Sequence, residues 1–309
     1  MNTNLRRWAA GFLSASTIAS VSATEPVAVA NEEVRQEIAL QREIYLSRGD
    51  AVPSGYTIDR SLLTYTQSLA SGFRQSLAEL GNDDRWLDIG AGEGRAVVDY
   101  TTSRYEAYFA GFEPRPRADE RARVVALSIE DRRSRRWHEA AKTVAPGRIE
   151  YLHGRSFSEY RREELGHFQL ITDVMGGFSY TPRLSVFLAK TLSTLDIDGS
   201  FYGVLADVRA ATTDNPPHYP GSPHLTRIVA EDGSEVRMCS YLKRIGCVEV
   251  SCEFKPDWTP PIETYRIRKL CTNVTVPALA LDHFESGTPP ERRFRLVDDA
   301  PAGQTTAGR

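Results

Sequence analysis

The stretch that most constrains the fold is Arg85-Trp86-Leu87-Asp88-Ile89-Gly90-Ala91-Gly92-Glu93-Gly94-Arg95-Ala96-Val97-Val98. A short apolar run gives way to three glycines at alternate positions and then to helix-forming residues. This pattern reads as a buried strand, a tight turn and a helix. Glycine permits dihedrals that a side chain forbids and lets another group come close to the main chain. In an open α/β sheet the carboxyl end of a strand is where ligands bind. The turn is therefore a candidate cofactor cradle, with Asp88 at the strand's end.

Spacing separates the two cofactor families that use such a turn. The dinucleotide fingerprint is G-x-G-x-x-G, with an acid about 20 residues further on. Here the glycines run Gly90-x-Gly92-x-Gly94, and an acid, Asp88, precedes the first by two positions. Two apolar residues, an acid, an apolar residue and G-x-G-x-G make a pattern that resembles motif I of the class I S-adenosylmethionine-dependent methyltransferases. The resemblance implies an α/β, Rossmann-like doubly wound sheet of about seven strands, mostly parallel with an antiparallel last strand. It also implies S-adenosylmethionine as cofactor, held at Asp88, Gly90, Gly92 and Gly94.

Further positions are assigned by walking along the chain. Tyr108 to Glu113 reads as the second strand, and the resemblance carries the family's ribose-binding acid onto Glu113, since a carboxylate accepts two hydrogen bonds from a diol. Ile149 to Leu152 reads as the third strand. Family members commonly follow it with glycine-aspartate, where this chain has Gly154-Arg155, so Ser156, Phe157 or a backbone carbonyl is left to meet the adenine. Phe168 to Val174 reads as the fourth strand, whose carboxyl end in the family faces donor and acceptor. Asp173 is thus a candidate base and Tyr180 a pocket wall or donor, with the alternative that Asp173 caps the next helix. Val248 to Phe254 and Ile262 to Leu270 alternate like two strands with a connection short enough to be antiparallel, matching the family's closing hairpin.

The helix expected from Asp59 or Arg60 to Leu80 forms, with an earlier one near 31–47, a preface to the sheet. In the family such a preface lies over the cofactor, which makes Tyr56, Arg60 and Tyr65 possible pocket residues. Arg115 to Arg136 holds eight arginines and four acids and reads as a long helix with a solvated, ion-paired face. Residues 209–224 make a loop rich in proline and histidine, in which His218 or His224 is a possible base. A net charge of −3 over 309 residues gives no basic field, so no nucleic acid is expected as partner.

Arg6-Arg7 followed by a small, apolar run from Trp8 to Ala23 reads as a cleaved export signal, too short for a membrane span. A helix packed on the domain or a misassigned start are the alternatives. Export implies a periplasmic or secreted protein, which conflicts with a cofactor made in the cytoplasm; an unprocessed N-terminus would leave the protein cytoplasmic. Cys239, Cys247, Cys252 and Cys271 have no metal-site spacing. Buried free thiols are expected of them, with disulfides permitted in an exported chain. The domain plan is thus a signal at 1–23, a helical preface at 24–80, a cofactor domain at 81–275 and an extension at 276–309.

The expected function is methyl transfer to a small molecule or a side chain. Three rivals stand beside it: a non-catalytic exported binding module, an NAD-dependent oxidoreductase, and an aminopropyltransferase using the decarboxylated cofactor and a polyamine.

Overall fold

The computed structural model describes residues 60–102, 121–205, 225–256, 262–285 and 291–301. The signal-like N-terminus, Tyr56, the helix near 31–47, the segment Tyr108 to Glu113, and His218 and His224 lie outside these residues.

Helices α1 (Leu62–Ser68) and α2 (Phe73–Ala78) precede β1 (Arg85–Ile89) and α3 (Arg95–Thr101). Next come β2 (Arg123–Leu127), α4 (Arg135–Thr143), β3 (Ile149–Leu152), a 3-10 turn (Phe157–Glu159) and α5 (Arg162–Leu165). They are followed by β4 (Phe168–Val174), α6 (Gly177–Tyr180), α7 (Leu184–Thr194) and β5 (Leu195–Leu205). The remainder supplies β6 (Leu225–Val229), β7 (Glu235–Val236), α8 (Met238–Leu242), β8 (Val248–Lys255), β9 (Ile262–Lys269), β10 (Pro277–Glu285) and β11 (Glu291–Pro301).

Seven strands form one sheet in the order β3-β2-β1-β4-β5-β9-β8. The first five run parallel, and β9 lies antiparallel between β5 and β8. Both faces are covered, as parallel sheets require. On one face Trp86, Val124, Ala126, Leu170 and Tyr202 pack against Leu62, Tyr65, Leu69, Phe73, Val97 and Trp137 of the helices. The opposite face carries Leu87, Val125, Ile171 and Phe201 against Leu184, Phe187, Leu188 and Leu192 of α7. Strand alternation sends neighbouring side chains to opposite faces, so each strand feeds both cores.

The structure corrects several expectations. Residues 123–127, read from sequence as part of a charged helix, are β2, the strand paired with β1. Val124-Val125-Ala126-Leu127 is a continuous apolar run, which is how a strand buried on both faces reads, and the flanking arginines obscured it. The single helix expected up to Leu80 is two, broken where Gly72 adopts φ 92°. Strand β8 holds that break. Glu253 accepts from the Ser71 amide at 2.6 Å and from its hydroxyl, and Lys255 Nζ donates to the carbonyls of Gln67 and Leu69 at 2.7 Å.

All four cysteines are paired. Cys239–Cys252 ties α8 to β8, and Cys247–Cys271 ties the entry of β8 to the exit of β9. Their Cα separations, 6.1 and 5.7 Å, are those a disulfide spans. The extension is also more than an edge segment. Strands β10, β11, β6 and β7 form a second sheet, in which β11 runs parallel to β6, and Ile228, Phe294 and Leu296 join the α7 core.

Candidate functional site

The site is built where β1 and β4 end. Gly90, Gly92 and Gly94 have φ of 73°, 57° and 78°, all in the left-handed region that favours glycine. A Cβ on Gly90 would stand 2.5 Å from the Cα of Gly176, so the turns after β1 and β4 touch backbone to backbone. A Cβ on Gly94 would meet the Trp137 ring at 2.4 Å. The turn is tied to its neighbours: the amides of Gly90 and Ala91 donate to the Leu127 carbonyl, and the Tyr151 hydroxyl donates to the Gly92 carbonyl at 2.5 Å. Trp137 and Tyr151 meet edge to face at 5.1 Å beneath it.

Asp88 is completely buried. Its carboxylate accepts from the Tyr65 hydroxyl at 3.0 and 3.1 Å and from the Thr172 hydroxyl at 2.7 Å; Thr172 in turn accepts from the Trp86 indole at 2.8 Å. The acid thus pins the preface helix α1 to the sheet. Burial pushes Asp88 up to about 7, against the pull of the Thr172 and Tyr65 hydrogen bonds.

Asp173 is equally buried. One oxygen accepts from the Gly176 amide at 2.8 Å and the other from the Phe178 amide at 2.9 Å, so its carboxylate anchors the turn that leads into α6. Burial raises it too to about 7, while those two amides and the charges of Arg292 and Arg60 lower it. Met175 between them is a non-glycine residue at φ 56°, a sparsely occupied conformation of the kind that gathers at functional sites. Tyr180, at the end of α6, is buried.

Three residues missed by sequence reasoning support this edge. Arg292 of β11 is fully buried and donates to the carbonyls of Phe178 at 2.7 Å and Thr181 at 2.9 Å, and to the Thr226 hydroxyl at 2.8 Å. Nothing in the sequence marks a distant arginine as the support of α6. Glu130 and Asp131 follow β2, whose pairing with β3 continues through the Gly154 amide to the Ile129 carbonyl. The apolar run before them was the available signal. Glu130 pairs with Arg132 at 2.6 Å, and Asp131 with Arg133 at 2.6 Å. Hydrogen bonds from Arg133 hold Asp131 below the usual carboxylate range.

The expected adenine residues have structural occupations. Ser156 caps the 3-10 turn, its amide donating to Glu159 at 2.6 Å, and Phe157 is buried against Phe187 at 5.5 Å. Arg155, which replaces the family's acid, pairs with Glu164 at 3.1 Å and lies over the Tyr160 ring. Among the described residues no group of three His, Cys, Asp or Glu could hold a metal ion. No helix among them is long and apolar enough to cross a membrane.

One arrangement decides the fold family: five parallel strands in the order β3-β2-β1-β4-β5, with an antiparallel strand inserted between β5 and the edge. The chain has the fold of the class I S-adenosylmethionine-dependent methyltransferases. No protein-family model and no curated protein matches the sequence of this chain. Among solved structures, a glycopeptide N-methyltransferase complexed with S-adenosylmethionine is 12% identical, with a TM-score of 0.41, over 71% of this chain and 99% of that one. The plantazolicin methyltransferase in complex with SAH is 11% identical, TM-score 0.40, over 77% and 100%. An rRNA methylase from Streptococcus thermophilus is 10% identical, TM-score 0.39, over 70% and 100%. The sheet order, rather than these distant likenesses, carries the assignment.

Proposed function

We propose that this chain is an S-adenosylmethionine-dependent methyltransferase acting on a small molecule or a side chain. The observation that carries the reading is the cradle itself. Gly90, Gly92 and Gly94 are all left-handed, and the turn is braced by Gly176 on one side and Trp137 on the other. The shape suits a nucleoside lying against main chain at the carboxyl edge of the sheet. The chemistry of the surrounding donors and acceptors also fits: a carboxylate, Glu130, follows the strand next to β1 by three residues, and an arginine, Arg60, precedes the N-cap of the preface helix.

In this reading the three glycines hold the cofactor, and Asp88 fixes the wall formed by α1. The expected ribose acid, Glu113, lies outside the described residues. The first carboxylate after the strand paired with β1 is Glu130, three residues past Leu127 and paired with Arg132, so we assign the ribose diol to Glu130. Ser156 and Phe157 face the adenine through their backbone, because their side chains are already engaged.

S-adenosylmethionine, when bound, supplies a methyl group on a sulfonium that leaves as a neutral thioether. The protein contributes alignment and exclusion of water, and a base only where the acceptor must lose a proton. Asp173 acts here as the anchor of residues 175–178, because both oxygens are held by amides. Tyr180 walls the acceptor side.

We also propose that the protein works in an oxidising compartment, a reading supported by the two disulfides and by the signal-like N-terminus. Calorimetric titration of the full chain with S-adenosylhomocysteine and with NAD tests the cofactor reading. Binding of the first and not the second is expected; the reverse makes the protein an oxidoreductase, and uptake of neither makes it a binding module of another kind.

A further inference from the structure

Arg60 stands at the threshold of the cradle with most of its donors uncommitted among the described residues. It precedes Ser61, the N-cap of α1, and that helix is fixed by two buried contacts, Tyr65 to Asp88 and the Leu62 amide to Asp99 at 3.1 Å. The position of Arg60 is therefore set by the fold. A guanidinium carries five N–H donors, and a thioether is a weak acceptor. Yet the one hydrogen bond Arg60 makes among the described residues is from Nη2 to Met175 Sδ, at 3.1 Å.

The carboxylates near it do not claim it. Arg60 is close enough to Asp88 and Asp173 for its charge to be felt by both. Asp88 is instead held by Tyr65 and Thr172, and Asp173 by the amides of Gly176 and Phe178. Both acids are buried and raised to about 7, so at neutral pH each spends part of its time uncharged and offsets Arg60 incompletely. Met175, which Arg60 touches, is one residue from Gly176, and Gly176 abuts Gly90 of the cradle. A ligand on the glycines with an anionic end could exchange the weak thioether contact for a charge-assisted, two-pronged one.

We propose that Arg60 binds the carboxylate on the amino-acid tail of the cofactor. The inference rests on the methyltransferase reading above, and makes Arg60 a binding residue that fixes which way the tail points.

The test compares S-adenosylhomocysteine with 5′-methylthioadenosine, which shares the nucleoside and lacks the tail, by calorimetry on the full-length chain. The wild type should bind the first more tightly. Arg60→Met should weaken S-adenosylhomocysteine by about tenfold to a hundredfold, the scale of a hydrogen bond to a charged group, and leave methylthioadenosine within about twofold. Arg60→Lys should fall between, keeping the charge without the fork. An Arg60→Met protein that binds S-adenosylhomocysteine like the wild type overturns the proposal and leaves the methyltransferase reading intact. Equal weakening of both ligands also overturns it, since the residue would then be shaping the pocket. If the wild type binds neither nucleoside, the cofactor reading itself fails and the proposal with it.

Discussion

The Trp137 ring fills the space beside Gly94 so completely that a Cβ on that glycine would stand 2.4 Å from the indole Cε3. Gly147 has nearly the same φ, 76° against 78°, but among the described residues nothing stands within 4 Å of its Cβ position. The pair separates backbone strain from crowding. Gly147→Ala should cost about 1 to 2 kcal/mol, the left-handed penalty alone. Gly94→Ala should cost about 1 to 3 kcal/mol more through overpacking and should abolish S-adenosylhomocysteine binding. Urea midpoints and calorimetry on the two variants check both statements.

Burial raises Asp88 and Asp173 to about 7 from 3.8. A carboxyl raised on folding binds more protons in the folded than in the unfolded state between those two values, so stability falls as pH rises through that window and levels off above it. Each carboxyl should cost the wild type on the order of 2 kcal/mol between pH 5 and pH 8. Asp88→Asn should flatten its share, because the amide stays neutral. Urea unfolding of both proteins at the two pH values would expose the opposite slope, which would mean that the acids are held ionised.

Two cross-links brace the closing hairpin, one tying α8 to β8 and one joining the open ends of β8 and β9, over sequence separations of 13 and 24 residues. Each is expected to be worth about 2 to 4 kcal/mol. Reduction should therefore lower the thermal midpoint by roughly 6 °C or more. Free thiols detected in protein recovered from an oxidising compartment would show that the bonds do not form.

Arg292→Met should leave the carbonyls of Phe178 and Thr181 without their buried donor and destabilise the protein by about 3 kcal/mol. Arg292→Lys should recover only part of this, because one ammonium cannot replace a fork that reaches Phe178, Thr181 and Thr226 together. Thermal melts of the two variants distinguish this from a surface charge, whose loss would shift neither.

Much of the central sheet was legible because its strands are short apolar runs bounded by turn residues. Ile149–Leu152 and Phe168–Val174 have the expected limits, and the hairpin of β8 and β9 follows from alternation and a short connection. Strand β2 was not legible, since charge interleaving around it imitates a helix face while its four apolar residues lack any period. At the site, the glycine turn and both acids could be read locally, and the structure brings them to one edge. Arg292 and the contact between Gly90 and Gly176 could not be, because each joins segments far apart in sequence whose proximity only the packed sheet creates. The disulfide pairing likewise depends on where α8 lies against β8.

The reach of Arg292 also bears on the order in which the molecule can be made. The turn after β4 is synthesised long before its support, since Arg292, which braces α6, follows Phe178 by 114 residues. A nascent chain that has emerged as far as β5 holds every glycine of the cradle, but the turn after β4 lacks that buttress. The turn after β4 is thereby coupled to the synthesis of β11, and loss of that strand would be felt at α6, far from it in sequence.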